Sequence, residues 1–213
     1  MSAPASPRPR GPAYRLRTER LLLRCWEPAD APRAQEAVDE SLDQLRPFLP
    51  WAAEEPMSLD DKAALLRRFR GEFDLGQAFH YGVFDPLDGS VLGGAGLHVR
   101  DDGRSREVGY WIRSSAVGRG LATEAAGALV QVAFVVDQVG WVTLHAVAEN
   151  VASLRVAEKL AFRREGVLRQ RTPFGPGDPR DLVLYALLAD EYPASFAASL
   201  VVEARDALGR RLL

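Results

Sequence analysis

Two glycines flank an arginine near the middle of the chain, at Gly118, Arg119 and Gly120, directly before a segment with helical periodicity. Glycine loses more conformational entropy on folding than other residues, so its use here needs a structural or chemical reason. The first backbone N–H groups of a helix lack helical partners and carry partial positive charge. Glycines allow a phosphate to approach such groups closely, because no Cβ intervenes. The segment therefore predicts an anion site, to which Arg119 could add charge.

Two familiar phosphate motifs do not fit this segment. A Walker P-loop requires a lysine after its last glycine, and no lysine follows Gly118 or Gly120. A dinucleotide-binding fingerprint requires a third glycine at the position where this chain has Thr123. The glycines of this chain also follow an antiparallel meander, which is not the context of that fingerprint. On these residues alone, a glycine-rich turn that merely joins a strand to a helix remains an alternative.

The elements that would position the glycines follow from the periodicity of the apolar residues. Before the glycines, β-branched and aromatic runs separated by turn residues predict three antiparallel strands at 78–85, 90–99 and 106–112. After them, apolar residues from Leu121 to Val136 follow helical spacing. The glycines therefore lie at a junction between a strand and a helix.

Other segments complete a mixed fold. We expect a strand at 18–26, a helix at 28–45 with Asp30 as its N-cap, and an aromatic loop at 46–56 that three prolines stiffen. Ser58 and Asp61 form a capping-box pattern before another amphipathic helix. A strand at 141–148, a helix at 150–162 and strands at 164–170 and 181–188 follow. This order predicts a single α/β or α+β domain.

The two ends of the chain have a different character. Residues 1–13 are rich in Pro and Arg and lack the apolar stretch of a secretory signal, so we expect a disordered leader. From Ala194 onward, apolar residues at helical spacing predict an amphipathic helix over 191–213. That helix would dock on its own domain, residues 14–190, or on a second copy in a homodimer.

Composition narrows the class of protein. A net charge of −2 and a pI near 6.0 argue against a general nucleic-acid binder. No run approaches the roughly 18–20 apolar residues of a transmembrane span, so we expect a cytoplasmic protein without a membrane partner. Cys25 is the single cysteine, which excludes an intrachain disulfide and a cysteine-based metal site. The three histidines, His80, His98 and His145, lack ligand spacing and are expected to be packing or strand-face residues.

Three segments together resemble a known family. EVGYWIRSSAVGRGLATEA (107–125) resembles the pyrophosphate-binding segment of the GCN5-related N-acetyltransferases (GNATs), in which a G-Y-W strand leads through a glycine loop into a helix. LRPFLPW (45–51) and ENVASLRVAEKLAFRREGVLR (149–169) are similar to motifs of the RimJ/RimL-type subfamily, which acetylates the N-termini of ribosomal proteins. The resemblance covers roughly residues 14–190.

The resemblance implies a fold and a cofactor. The fold would be α/β, with a mixed, mostly antiparallel sheet that is flanked by helices and splayed between its fourth and fifth strands, where coenzyme A inserts. The reaction would be direct acetyl transfer from acetyl-CoA to a primary amine, with no metal. The residues that the resemblance assigns to the cofactor are Trp111, Ile112, Val117, Gly118, Arg119, Gly120, Leu121, Ala122, Thr123, Asn150 and Ser153.

Catalytic and acceptor roles also follow from the resemblance. Glu107, at the start of the strand that leads to the glycine loop, is the candidate base; the alternative is a solvated or paired edge charge. Ser153 would donate to the leaving thiolate, although a helix N-cap would suit its position equally. Main-chain N–H groups around Trp111 and Ile112 would polarise the thioester carbonyl, and Asn150 would bind the pantetheine arm directly or through water. Phe48 and Trp51 would wall the acceptor pocket, with core packing as the alternative.

Two positions depart from the family pattern. Val117 stands where the loop usually begins with Gln or Arg, so one side-chain contribution to the phosphate site is missing. Ala161 replaces the usual glycine before Phe162. The acceptor could be a protein N-terminus or a small-molecule amine, because the loops that select it are not determined by family. A non-catalytic acyl-CoA-binding module is the alternative function.

Overall fold

The structure is a computed structural model that describes residues 12–173 and 178–213. Its helices are α1 (Ala31–Asp39), α2 (Leu42–Leu45), α3 (Leu59–Asp74), α4 (Leu121–Val135), α5 (Val151–Lys159) and α6 (Phe196–Ser199). Its strands are β1 (Arg15–Arg17), β2 (Leu22–Cys25), β3 (Ala78–Phe84), β4 (Val91–Arg100), β5 (Ser105–Ile112), β6 (Trp141–Val147), β7 (Arg163–Pro173), β8 (Pro179–Leu188) and β9 (Glu203–Arg205).

Within the described residues, all the strands belong to one sheet in the order β7-β8-β6-β5-β4-β3-β2-β1-β9. Neighbouring strands run antiparallel except β5 and β6, which are parallel. Strands β5 and β6 pair only at their starts, from Ser105 opposite Trp141 to Glu107 opposite Thr143. Beyond Glu107 the two strands diverge. The expected mixed sheet, splayed between the meander's last strand and the strand after the glycine helix, is confirmed.

The central helix and the sheet share one large core. Helix α4 is buried around most of its circumference and packs on β4 and β5. Val108 and Ile112 of β5 lie in this core, together with Leu97 of β4. Because side chains alternate along a strand, Glu107, Gly109 and Trp111 point to the opposite face, towards α1 and α3. The sheet therefore separates two environments on either side of β5.

Most of the helices and strands predicted from local sequence patterns are present in the structure. The meander, the helix after the glycines and the elements from 141 to 188 are present within a few residues of their predicted bounds. Ser58 Oγ accepts a hydrogen bond from the Asp61 N–H at 3.1 Å, which confirms the predicted cap of α3. The segment 18–26 instead contains a turn followed by β2, with β1 lying just before it, and 28–45 divides into a 3-10 turn, α1 and α2.

Asp30 is the N-cap residue of α1, as expected, but the expectation that its side chain bonds the first turn of that helix was wrong. Its buried carboxylate accepts a two-pronged pair of hydrogen bonds from Arg24, each of 2.7 Å, and another from Arg33 at 2.8 Å. Hydrogen bonds to charged donors are stronger than a backbone cap, and they stabilise the buried carboxylate.

The expected helix over 191–213 was also wrong. This segment forms a 3-10 turn, the single-turn helix α6 and strand β9, which pairs with β1. Gln131 of α4 donates from Nε2 to the carbonyls of Ala197 and Leu200, both at 3.0 Å, which ends the helical turn. Gly127 leaves room for this contact, because a Cβ there would lie 2.6 Å from the Leu200 side chain.

Residues 1–11 of the expected leader lie outside the described residues. In the described part of the chain, no helix is both long and apolar enough to cross a membrane.

Candidate active site

The glycine loop leads directly into α4. Gly118 and Gly120 both adopt left-handed backbone conformations, with φ of 76° and 78°, which side chains rarely adopt. Gly120 is the N-cap residue of α4, and no side chain caps this helix. A Cβ at Gly118 would meet no atom within 4 Å, so the loop faces open space. The loop therefore presents backbone N–H groups to any anion placed before the helix.

The gap between the diverging strands contains backbone donors. Arg113 N–H donates to the Leu92 carbonyl of β4 at 2.8 Å. Because N–H groups alternate in direction along a strand, Trp111 N–H also points to β4, whereas the N–H groups of Tyr110 and Ile112 point to the gap. Of the main-chain donors around Trp111 and Ile112, the Trp111 N–H therefore points away from the gap. The N–H groups of Tyr110 and Ile112 are the ones directed into the gap.

Two hydroxyl groups meet on the α4 side of the gap. Ser153, in the first turn of α5, lies with its Oγ 3.0 Å from the Tyr110 hydroxyl oxygen. Ser153 is not the N-cap: Asn150 caps α5, and its Oδ1 accepts from the Ser153 N–H at 3.1 Å. Burial raises the pKa of Tyr110 to about 12, so its hydroxyl stays protonated at neutral pH. Asn150 retains its Nδ2 as a donor at the same end of α5.

A carboxylate lies on the opposite face of β5. Glu107 Oε2 lies 3.1 Å from Arg100 Nε and 3.6 Å from His145 Nδ1. His98 is the cross-strand neighbour of Glu107 on β4. Burial lowers the pKa of His98, which keeps its imidazole neutral at pH 7. Two of the three histidines expected to be packing or strand-face residues thus lie beside the candidate base on neighbouring strands.

Three glycines form the backbone floor of the face that carries Glu107. Gly96 of β4 pairs with Gly109 of β5, Gly94 of β4 pairs with Trp111, and rings of neighbouring residues lie over the two β4 glycines. The Trp111 indole covers Gly94, where a Cβ would lie 2.5 Å from Nε1. His98 covers Gly96, where a Cβ would lie 3.2 Å from Nε2. The glycines let these rings lie directly against the backbone.

An aromatic wall borders this floor. The Trp51 and Trp111 ring centroids are 6.2 Å apart, and 38% of Trp51 is exposed. Phe48 on the same loop is half-buried. Core packing is therefore excluded for Trp51, which lies on the side of the sheet that holds Glu107.

A buried ion pair holds the aromatic loop in place. Glu55, at the end of the loop, pairs with Lys62 of α3, and each side chain is at most 3% exposed. The Glu55 carbonyl also accepts from Arg46 Nη2 at 2.8 Å, which joins the two ends of the loop. Breaking a buried pair on one side is strongly destabilising. The wall is therefore a rigid feature.

Sequence reasoning missed Tyr110, although alternation along β5 already placed it opposite Glu107. Its proximity to Ser153 depends on how α5 docks on the sheet. Among the residues that the structure describes, no group of three or more His, Cys, Asp or Glu side chains could hold a metal ion.

Comparison with known proteins identifies the fold and the chemistry. The acetyltransferase (GNAT) domain family matches residues 20–163. YdaF of Bacillus subtilis is 31% identical over 82% of this chain and 94% of its own length. The [ribosomal protein uS5]-alanine N-acetyltransferase of Escherichia coli is 27% identical over 85% of this chain and 94% of its own length.

Comparison with solved structures gives the same fold. RimJ of Mycobacterium smegmatis in complex with CoA-disulfide superposes with a TM-score of 0.75 and 26% identity, covering 87% of this chain and 91% of RimJ. The non-catalytic alternative gains no support from the relatives of Bacillus subtilis and Escherichia coli, both of which are named as N-acetyltransferases. The chain therefore belongs to the GNAT family and is an acetyl-CoA-dependent N-acetyltransferase.

Proposed function

We propose that this enzyme acetylates the N-terminal α-amine of a protein, with the acceptor on the Glu107 face of β5 and CoA on the Tyr110 face. The observation that carries the proposal is the aromatic wall on the Glu107 face, where the partly exposed Trp51 lies beside Trp111 and offers a surface to the first residues of a peptide. The similarity to an enzyme named for an alanine of ribosomal protein uS5 supports a protein acceptor. A ribosomal-protein acceptor would place the enzyme in the cytoplasm.

The chain offers a binding surface for each part of acetyl-CoA, which supplies the activated acetyl thioester. We propose that backbone N–H groups from Gly118 to Thr123 hold the pyrophosphate, with Arg119 adding charge. The exposed Val117 offers no polar group, so the main chain carries most of this binding. Asn150 Nδ2 would donate to the pantetheine arm within the gap between β5 and β6.

Glu107 would accept the proton of the attacking amine. An α-amine with a pKa near 7.7–8 costs only about 1 kcal/mol to deprotonate at pH 7, whereas a lysine amine costs about 4.6 kcal/mol. A carboxylate, acting directly or through one water, can deprotonate an α-amine, whereas the pKa of a lysine amine is too high for efficient proton transfer to it. Glu107 as the base therefore favours an α-amine over a lysine side chain.

The remaining groups stabilise the charges that develop as the C–N bond forms and the C–S bond breaks. Ile112 N–H, directed into the gap, would donate to the carbonyl oxygen as it becomes negative. Ser153 Oγ would donate a proton to the departing sulfur, while the Tyr110 hydroxyl donates to Ser153. The base and the acid thus act from opposite faces of β5.

The test is a thiol-release assay with acetyl-CoA and a panel of acceptors. The panel pairs peptides with free N-termini, beginning with Ala or Ser, with the same peptides carrying a blocked N-terminus and an internal lysine, and it adds small primary amines. The proposal predicts turnover that requires the free peptide N-terminus. Turnover only with small amines would contradict the proposed acceptor while leaving the acetyltransferase activity intact.

A further inference from the structure

An arginine far from the glycine loop in sequence holds this loop in place. Arg20 lies in the turn between β1 and β2, and its Nη1 donates to the Arg119 carbonyl at 2.9 Å. Its Nη2 lies 3.7 Å from where a Cβ of Gly120 would stand. The side chain is 47% exposed, so its guanidinium reaches the loop at the surface.

The other side of the same guanidinium is fixed by a buried carboxylate. Arg20 Nε donates to Glu124 Oε2 at 2.7 Å, and the Arg20 backbone N–H donates to Glu124 Oε1 at 3.1 Å. Thr18 Oγ1 donates to the same Oε1 at 2.5 Å. Glu124 lies in the first turn of α4 and is only 7% exposed. A buried carboxylate needs such partners, because removing an unpaired charge from water is costly.

The bond to the Arg119 carbonyl has a consequence for the next N–H group. In a trans peptide unit, the C=O of one residue and the N–H of the next point in opposite directions. By holding the Arg119 oxygen on its own side, Arg20 turns the Gly120 N–H away from itself. Because Gly120 has a left-handed φ and no Cβ, this peptide plane would otherwise turn easily.

We propose that Arg20 is a positioning residue for the CoA pyrophosphate: it fixes the peptide plane between Arg119 and Gly120, and it adds a cation beside the loop. In this way Arg20 substitutes from another part of the chain for the side chain that Val117 does not provide. This inference rests on the proposed placement of the pyrophosphate on residues 118–123.

The test compares ligands with and without the pyrophosphate. Calorimetry measures the Kd of CoA and of pantetheine for the wild type and for Arg20→Gln, Arg20→Lys and Arg17→Gln. Arg17 is an exposed arginine of β1, so its variant is matched in charge loss and location. Steady-state kinetics then compares acetyl-CoA with S-acetylpantetheine, and thermal unfolding verifies that each variant folds.

For Arg20→Gln we expect the Kd of CoA and the KM of acetyl-CoA to rise about tenfold or more, the effect of losing a charge-assisted hydrogen bond. Pantetheine binding, S-acetylpantetheine kinetics and kcat should change less than twofold. Arg20→Lys should restore only part of the affinity, since one ammonium group cannot bond Glu124 and the Arg119 carbonyl in the same fork geometry. Arg17→Gln should behave as the wild type.

Each contrary result has a distinct meaning. If Arg20→Gln prefers CoA over pantetheine as strongly as the wild type does, the role of Arg20 is refuted. An equal loss for both ligands would also refute it, because the effect would then pass through the fold. If the wild type itself does not prefer CoA over pantetheine, the proposed placement of the pyrophosphate fails instead.

Discussion

The hydroxyl oxygens of Tyr110 and Ser153 lie 3.0 Å apart and join β5 to α5 across the gap between the central strands. Burial keeps the pKa of Tyr110 near 12, so at neutral pH both groups carry a proton. If Tyr110 donates to Ser153, the Ser153 proton is directed elsewhere. In the proposed mechanism this proton goes to the sulfur that leaves in acetyl transfer.

Removal of either hydroxyl should slow the chemical step. Ser153→Ala is expected to lower kcat about 10²-fold, within the usual contribution of general acid catalysis, with little change in the KM of acetyl-CoA. Tyr110→Phe should have a smaller effect of about tenfold, because it acts through Ser153. Steady-state kinetics of the two single variants and the double variant measures this. Strictly additive losses would contradict a shared role, since groups that act as a unit are not additive.

Glu107 should matter most where the amine is still protonated. Glu107→Gln is expected to lower kcat/KM for an α-amine acceptor about 10²-fold at pH 6–7. The deficit should shrink above pH 8, because the amine then loses its proton to solvent. A pH profile from 6 to 9 measures the difference, with the exposed Glu158→Gln as the matched control. Identical profiles for Glu107→Gln and the wild type would remove Glu107 from the mechanism.

His80 should make the folded state sensitive to acid. Burial lowers its pKa from 6.5 to about 4, although the Glu72 carboxylate, 3.2 Å away, acts in the opposite direction. Above pH 6.5 the imidazole is neutral in both states and contributes no pH dependence. Between pH 6.5 and 4 the unfolded chain binds the proton more readily, so the free energy of unfolding falls as the pH falls.

This effect can be isolated by substitution. His80→Phe keeps a ring stacked on Phe69, whose centroid is 4.0 Å away, but cannot take up a proton. Urea unfolding at pH 7.5 and pH 4.5 should show that the wild type loses about 2 kcal/mol more than the variant between these pH values. An equal loss in both proteins would show that His80 is not protonated preferentially in the unfolded state.

Ala161 offers a site for stabilisation. It has a φ of 64° just beyond α5, where the N–H groups of Ala161 and Phe162 donate to the carbonyls of Glu158 and Ala157, both at 3.0 Å. This Schellman arrangement favours glycine. Ala161→Gly should raise the free energy of unfolding by about 0.5–1 kcal/mol. The substitution removes the cost of a left-handed alanine from the folded state, and the greater freedom of glycine in the unfolded chain offsets part of that gain.

Thermal and urea unfolding can measure this change, with Ala152→Gly inside α5 as the control. Ala152 is the second residue of α5, and its variant should destabilise by at most about 1 kcal/mol, because glycine has a low helix propensity. A destabilised Ala161→Gly variant would contradict the assignment of left-handed strain at this position.

Sequence patterns predicted the elements that are determined by interactions between residues close together in the chain. The meander from Ala78 to Ile112, the cap at Ser58 and the glycine junction before α4 all depend on periodicity, turns and capping within a few residues. The same reasoning gave a wrong prediction for the tail from Ala194, because Gln131 of α4 binds backbone carbonyls of the tail and β1 pairs with β9. Tertiary contacts there decide between helix and strand.

The same distinction applies to the site. Motif spacing placed Gly118, Gly120 and Glu107, which belong to one continuous segment of chain. It could not show that Tyr110 meets Ser153, or that His98 and His145 lie beside Glu107, because these contacts depend on cross-strand register and helix docking. The direction of the Trp111 N–H likewise follows only from the pairing of β5 with β4.

The central claim is that the glycine loop and the gap between β5 and β6 together hold CoA. A crystal structure of the enzyme with CoA tests this most directly. The account predicts pyrophosphate oxygens about 3 Å from backbone N–H groups between Gly118 and Thr123, with the sulfur within reach of Ser153 Oγ. CoA bound elsewhere, or loop N–H groups bonded to other partners in that complex, would contradict it.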